Sequence, residues 1–120
     1  MPIETTNISA CTHPTVAQAM YQCVAETTVT AMMAQNFHWN VTGMAFGPLH
    51  ALFQEIYEDH FQAQDELAER IRSMGHKVDG RLSAMIDISK VIEDPEGLHK
   101  NDKEMIDGMV DAQNILAATL

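Results

Sequence analysis

Two long runs of helically spaced apolar residues, separated by one short break that contains glycine and proline, constrain the fold of this chain most. Apolar side chains recur at three- and four-residue steps over residues 15–42 and again over residues 48–74, which is the spacing of one face of an α-helix. Gly43 lies in the break, where a glycine can end a helix in the left-handed conformation. Pro48 suits the first position of a helix, where no backbone N–H is needed. The sequence therefore predicts an antiparallel helical hairpin with its turn at residues 44–46.

The rest of the chain also shows helical patterns and no strand pattern, so we expect an all-α fold. The second helix is predicted to stop at Gly75, with Arg70 and Arg72 near the negative end of its dipole. A short helix is expected within residues 81–90, and a third long helix from about Asn101 onward. The face predicted for the first long helix consists of Val16, Met20, Cys23, Val24, Thr27, Ala31, Ala34, Phe37 and His38. The face predicted for the second consists of Leu49, Leu52, Ile56, His60, Ala63, Leu67, Ile71 and Met74. The face predicted for the third consists of Met105, Met109, Ala112, Leu116 and Leu120.

Two histidines flank the predicted turn, and two acidic residues follow on the second helix. His38 and His50 each lie about one helical turn from the bend, so the hairpin can place their imidazoles side by side. Asp65 and Glu69 fall on the same stripe of the second helix as His50, but Asp65 is about 22 Å from His50 along the axis. A second copy, packed antiparallel across a two-fold axis, would bring the carboxylates of one chain to the histidines of the other. Mixed imidazole and carboxylate ligands suit a first-row metal such as Fe²⁺ or Zn²⁺.

The segments NFHWNVTG, LH and QDELAERI, at these spacings, resemble the Dps family, the ferritin-like DNA-binding proteins from starved cells. The resemblance implies an all-α, ferritin-like four-helix bundle subunit with a ferroxidase centre at a dimer interface. It further implies that His38 and His50 of one subunit act there with Asp65 and Glu69 of its neighbour. Trp39 matches the tryptophan that the family places beside the centre.

The resemblance also implies a function, namely iron storage and detoxification. Fe²⁺ would be oxidised by hydrogen peroxide in preference to oxygen, and Fe³⁺ would collect as mineral inside a hollow shell of twelve subunits. On this reading the protein is an enzyme, a ferroxidase, and its two-fold dimers build the shell. One alternative is a protein that binds iron or zinc at the same ligands without turnover.

A second alternative is a DNA-compacting stress protein, and the charge distribution opposes it. The formal net charge is -10, and no Lys or Arg occurs before Arg70. Non-specific DNA binding depends on contacts between cations and phosphates, so we do not expect it here.

Three further residues have two possible interpretations each, and a fourth, Gln54, departs from the family's usual pattern. Trp39 either shields the metal centre or donates an electron, or else it is a packing anchor at the helix end. Gln54 stands one turn after His50, at a position that is often acidic in the family. His60 falls in an apolar series, where a packed or hydrogen-bonded histidine is favoured over a metal ligand. Cys23 is expected to be a small core residue rather than a reactive thiol.

The organisation of the chain follows from these patterns. Residues 1–14 are interpreted as a polar tail and residues 15–120 as one ferritin-like helical domain that is incomplete at its C-terminus. Only three long helices occur, whereas a ferritin-like subunit needs four. A fourth helix of about 25 residues is therefore predicted to follow Leu120. Without a signal sequence or a long apolar segment, a cytoplasmic location is expected.

Overall fold

The computed structural model describes residues 15–120, and these residues are helical and contain no strand. In chain order the helices are α1 (Val16–Asn40), α2 (Phe46–Ser73), α3 (Leu82–Ile88) and α4 (Asp102–Thr119), with one 3₁₀ turn at Gly97–His99. The predicted all-α fold is confirmed. The tail predicted for residues 1–14 lies outside the described residues, and the helix predicted after Leu120 stays a prediction.

Helix α1 is the central element of the fold. Thr15 caps it, because its hydroxyl accepts a hydrogen bond from the Gln18 N–H while the Gln18 side chain accepts one from the Thr15 N–H. Every residue from Cys23 to Ala31 is buried, so this part of the helix is enclosed on all sides. Burial raises the pKa of the Cys23 thiol, in agreement with a core position. Packing, rather than helix propensity, keeps the β-branched run of residues 27–30 helical.

Helix α2 runs antiparallel to α1. Ile71, near its end, packs in one apolar cluster with Tyr21 and Val24 near the start of α1. Phe53, near its beginning, contacts Phe37 near the end of α1, with ring centroids 5.6 Å apart. The expected stop at Gly75 is confirmed, since this glycine has a φ of 93° and α2 ends at Ser73.

The turn between α1 and α2 differs in detail from the prediction. Helix α1 ends at Asn40 and α2 begins at Phe46, so Pro48 occupies the third helical position and not the first. A proline is tolerated there because none of the first four N–H groups of a helix has an acceptor within the helix. Gly43 has a φ of 100°, which is the left-handed conformation expected of a glycine in this turn.

The predicted apolar face of α2 was wrong at one residue. Leu52 is 45% exposed, whereas its neighbour Phe53 is 1% exposed and belongs to the main core cluster. Since both residues are apolar and adjacent, periodicity alone does not decide which of them faces α1. The outermost positions, Val16 and Leu120, are also exposed and not part of the core.

Helix α4 packs antiparallel to α1. It begins near the α1–α2 turn, where a Cβ at Gly43 would lie 3.4 Å from the Asp102 carboxylate. Asn101 and Glu104 form the capping box at its start. The predicted face is confirmed at four positions, which are all buried: Met105, Met109, Ala112 and Leu116.

A buried carboxylate, not predicted from the sequence, joins α1 to the end of the chain. Glu26 accepts hydrogen bonds from the Gln22 side chain (2.6 Å) and from the Lys90 N–H (3.0 Å), and it is also hydrogen-bonded to the Thr119 hydroxyl. A buried charge is tolerated when it is hydrogen-bonded in this way. Glu26 therefore positions both the segment after α3 and the end of α4. Within the part of the chain described, no helix is long and apolar enough to cross a membrane.

Replacing Phe53 and Leu52 separately tests which side of α2 is buried. We expect Phe53→Ala to lower the free energy of unfolding by about 3–5 kcal/mol, because it removes a buried ring and leaves a cavity. Leu52→Ala is the matched control and should change it by less than about 1 kcal/mol. Urea denaturation of both variants measures the difference. Equal losses in the two would contradict the assignment.

Candidate metal centre

The hairpin brings His38 and His50 into direct contact. His38 lies in the last turn of α1 and His50 in the second turn of α2. Their imidazole rings stack with centroids 3.7 Å apart and an angle of 20° between the planes. His38 is buried and His50 is partly buried. The side-by-side arrangement expected from their spacing is present.

Each of these histidines is fixed by the backbone of the other. The Nδ1 of His38 lies 2.6 Å from the carbonyl oxygen of His50, and the Nδ1 of His50 lies 2.7 Å from the carbonyl oxygen of His38. A carbonyl oxygen only accepts hydrogen bonds, so both Nδ1 atoms must carry the proton. In the neutral rings the lone pair is then on Nε2. Histidine metal ligands are held in the same way, with one nitrogen donating to a carbonyl and the other free for the metal.

Aromatic side chains enclose the histidine pair. Phe46 stacks on His50 with ring centroids 5.0 Å apart, and the ring of Tyr57 meets His38 edge-on at 5.3 Å. Sequence reasoning did not select either residue, although both lie on the α2 stripe of His50, four residues before it and seven after it. Trp39 is 64% exposed. Among the described residues its ring makes no aromatic contact with the pair.

The stacked geometry determines how the two rings can bind metal. A metal ion binds an imidazole nitrogen close to the plane of the ring, about 2.0–2.1 Å from the nitrogen. Because the two planes are nearly parallel and the ring centres are 3.7 Å apart, an ion in the plane of one ring lies outside the plane of the other.

The acidic candidates lie elsewhere on α2. Asp65 and Glu69 are exposed, fifteen and nineteen residues after His50, which is about 22 Å or more along the helix. Within residues 15–120 of a single chain, no three His, Cys, Asp or Glu side chains come close enough to hold a metal ion. One chain thus brings His38 and His50 together but does not bring Asp65 and Glu69 to them.

Two other polar residues of α2 are hydrogen-bonded. The Gln54 side-chain amide donates to the Glu58 carboxylate at 2.8 Å. His60 is mostly buried, and its Nε2 lies 3.0 Å from the Gln113 amide on α4. The prediction that His60 is a packed, hydrogen-bonded residue agrees with this contact.

Comparison with known proteins gives consistent similarities. Residues 17–120 match the family model described as a ferritin-like domain. The "DNA protection during starvation protein" of Helicobacter pylori is 38% identical over 86 residues, which are 69% of this chain and 60% of that protein. The "DNA protection during starvation protein 2" of Bacillus anthracis is 34% identical over 97 residues, 81% of this chain and 62% of the relative. The chain thus spans about three fifths of the length of these curated relatives.

Solved structures show the same likeness. A Dps protein from Bacillus brevis superposes with a TM-score of 0.81 and 32% identity, over 87% of this chain and 68% of the other. The Dps protein of Vibrio cholerae O1 gives a TM-score of 0.79 and 31% identity, over 86% and 64% of the two chains. That protein is described as "a member of a broad superfamily of ferritin-like diiron-carboxylate proteins".

The protonation state of the histidine pair is open to direct measurement. We expect both His38 and His50 to carry the proton on Nδ1 at about pH 8, where a free imidazole is neutral. Long-range ¹H–¹⁵N spectra distinguish the two tautomers. His99 is the internal control, because it is exposed and should show the mixture typical of a solvated imidazole. A proton on Nε2 of either His38 or His50 would contradict the reciprocal hydrogen bonds.

Proposed function

We propose, since this chain belongs to the Dps family of ferritin-like proteins, that it oxidises Fe²⁺ at centres shared between two copies of the chain and stores the Fe³⁺ produced. The observation that carries this proposal is the reciprocal hydrogen bonding of His38 and His50. It leaves two neutral Nε2 atoms, held rigidly side by side, as ligands for a first-row metal. The metal here is the substrate, and the ferroxidase activity and storage of the whole protein are part of the proposal.

The chemistry requires both kinds of ligand. Two Fe²⁺ ions lose one electron each, and hydrogen peroxide accepts the two electrons and two protons to give two molecules of water. Neutral imidazoles bind Fe²⁺ without adding charge, whereas carboxylates offset the additional positive charge of Fe³⁺. We propose that His38 and His50 supply the imidazoles, and that Asp65 and Glu69 of a second copy supply the carboxylates.

The outer face of α3 supports contact with a second copy. Leu82 and Ile86 lie four residues apart on this short helix and are 58% and 63% exposed, which is unusual for a pair of large apolar side chains on one helix face. On the inner side of α3, Met85 lines a cavity of about 230 Å³ that Asp65 also lines. Asp65, one of the two proposed carboxylate ligands, thus lies close to the helix whose outer face we propose as the contact with a second copy.

Several finer features remain proposals of the same kind. We propose that residues 15–120 belong to one ferritin-like domain, that two-fold dimers assemble into a dodecameric shell, that hydrogen peroxide is the preferred oxidant and that the protein is cytoplasmic. Trp39 is proposed as a residue near the centre.

DNA compaction is the weaker alternative for this chain. The net charge is -10, and three of the seven cationic side chains, Arg81, Lys100 and Lys103, are paired with neighbouring aspartates. Few cations are left to contact phosphates. We therefore propose that iron oxidation, and not DNA binding, is the main activity.

Mixing two inactive variants tests whether the centre is shared. His38→Ala and Asp65→Ala should each abolish rapid iron oxidation by peroxide, because each removes one kind of ligand from every centre. A heterodimer collects both lesions in one centre and leaves the other intact. With random pairing, half of the dimers are heterodimers, and each of these has one intact centre out of two. The mixture should therefore recover about a quarter of the wild-type rate. Absorbance of Fe³⁺ and peroxide consumption, expected at about one peroxide per two Fe²⁺, are the measurements.

Two results would count against this proposal. No recovery in mixtures that contain heterodimers, as verified by mass spectrometry, would exclude a shared centre. Tight metal binding by the wild type without peroxide consumption would favour the alternative of a metal-binding protein without turnover.

The role of α3 is tested by placing a charge on its outer face. Ile86→Glu should shift the protein to monomers, since a buried charge in the interface is unpaired, and iron oxidation should be lost with the dimer. Light scattering measures the molar mass. Val16→Glu, which changes an equally exposed aliphatic residue on α1, should leave the mass unchanged. An Ile86→Glu variant with the wild-type mass would exclude α3 as the contact.

A further inference from the structure

We propose that this chain carries a second binding site, for a small aliphatic amine in its cationic form, in the cavity between α1, α4 and the segment of residues 91–100. The cavity has a volume of about 470 Å³, which lies within the range of small-molecule sites. None of the residues of the candidate metal centre lines it. This site is therefore separate from the centre, and it does not rest on the proposed function.

The floor of the cavity is apolar. Met33 and Phe37 of α1 and Ala112 of α4 line it, and all three are buried core residues. Val91 joins them from the segment after α3. Gly108 leaves space on the α4 side, because a Cβ at this position would meet only the Phe37 ring, at 3.7 Å. A surface of this kind attracts an aliphatic chain through the hydrophobic effect.

The rim of the cavity is negatively charged. Three exposed acidic residues, Glu93, Asp94 and Asp111, line it together with a single cation, Lys100. The Lys100 Nζ is already paired with the Asp94 carboxylate at 2.8 Å. Within residues 15–120, the side chains of Glu93 and Asp111 have no hydrogen bond or ion pair to another residue. Two carboxylates at the rim are therefore free to pair with a cation.

The surroundings of Glu93 favour a cationic ligand. Partial desolvation raises the pKa of its carboxyl above the ordinary value, since burial disfavours the charged form. An ammonium group placed beside it would stabilise the carboxylate, because an opposite charge favours ionisation. Glu93 belongs to the segment after α3 and Asp111 to α4, so an ammonium group at the rim is attracted from two walls, and an anion is repelled by both. The apolar floor and the anionic rim together select a molecule with an aliphatic chain and a positively charged end.

Saturation-transfer NMR on the assembled protein measures the binding of small probes directly. We expect hexylammonium to bind, 1-hexanol to bind about tenfold more weakly and hexanoate not to bind, because only the ammonium group pairs with the free carboxylates. Glu93→Gln and Asp111→Asn should each weaken the binding of hexylammonium about three- to tenfold. Added salt should also weaken it, since the charges lie at an exposed rim.

Matched control variants remove the same charge outside the cavity. Glu96→Gln alters the same segment as Glu93, and Asp107→Asn lies one turn before Asp111 on α4, but neither residue lines the cavity. Both variants should bind hexylammonium as the wild type does. Gly108→Leu tests the space itself. Its side chain should fill the cavity and abolish binding, while leucine, a better helix former than glycine, keeps α4 helical.

Several results would overturn this assignment. They are the absence of hexylammonium binding to the assembled wild type, equal binding of hexylammonium and 1-hexanol, and charge variants at Glu93 and Asp111 that bind no more weakly than the two controls. If circular dichroism shows that Gly108→Leu does not fold, the charge variants decide. Iron oxidation should be unchanged in Glu93→Gln and Asp111→Asn, so a failure of this site and a failure of the proposed function are distinguishable.

Discussion

The pair of hydrogen bonds that His38 and His50 exchange with each other's backbone is the interaction on which the candidate centre depends. The carbonyl of His38 lies in the last turn of α1, where it has no partner within the helix, and His50 satisfies it. In return the His50 carbonyl fixes the His38 ring. The bend at Gly43, with its positive φ, is tight enough to bring the two helix ends within this distance. One contact therefore closes the hairpin and also aligns the two imidazoles that we propose as metal ligands.

The rest of the fold packs around α1, the helix that carries His38. Helices α2, α3 and α4 all pack on α1, whose middle section is completely buried. Burying Glu26 within that section would be costly without partners. Its hydrogen bonds to Gln22, Lys90 and Thr119 offset the cost, and they connect the middle of α1 to the end of α4. Apolar side chains on the outer side of α4, such as Ile106 and Val110, remain exposed.

Helix geometry also explains why the proposed centre needs two copies of the chain. A straight helix cannot fold back to bring residues four or more turns apart to one ion, so His50 and Asp65 of one chain stay separate. Ligands divided between copies make metal binding conditional on assembly. The need for a second copy in the proposed centre is thus a consequence of how side chains are distributed along α2.

The sequence by itself determined the helices, the glycine at the turn and the closeness of His38 to His50, because periodicity and spacing are local properties of the chain. Only the tertiary structure decided that Phe53 and not Leu52 faces the core, since two adjacent apolar residues fit the same helical pattern. It also decided that Glu26 is buried and partnered, because its partners are up to 93 residues away. The tautomers of the histidines likewise depend on which carbonyls the folded hairpin places opposite their Nδ1 atoms, and spacing along a chain does not contain that information.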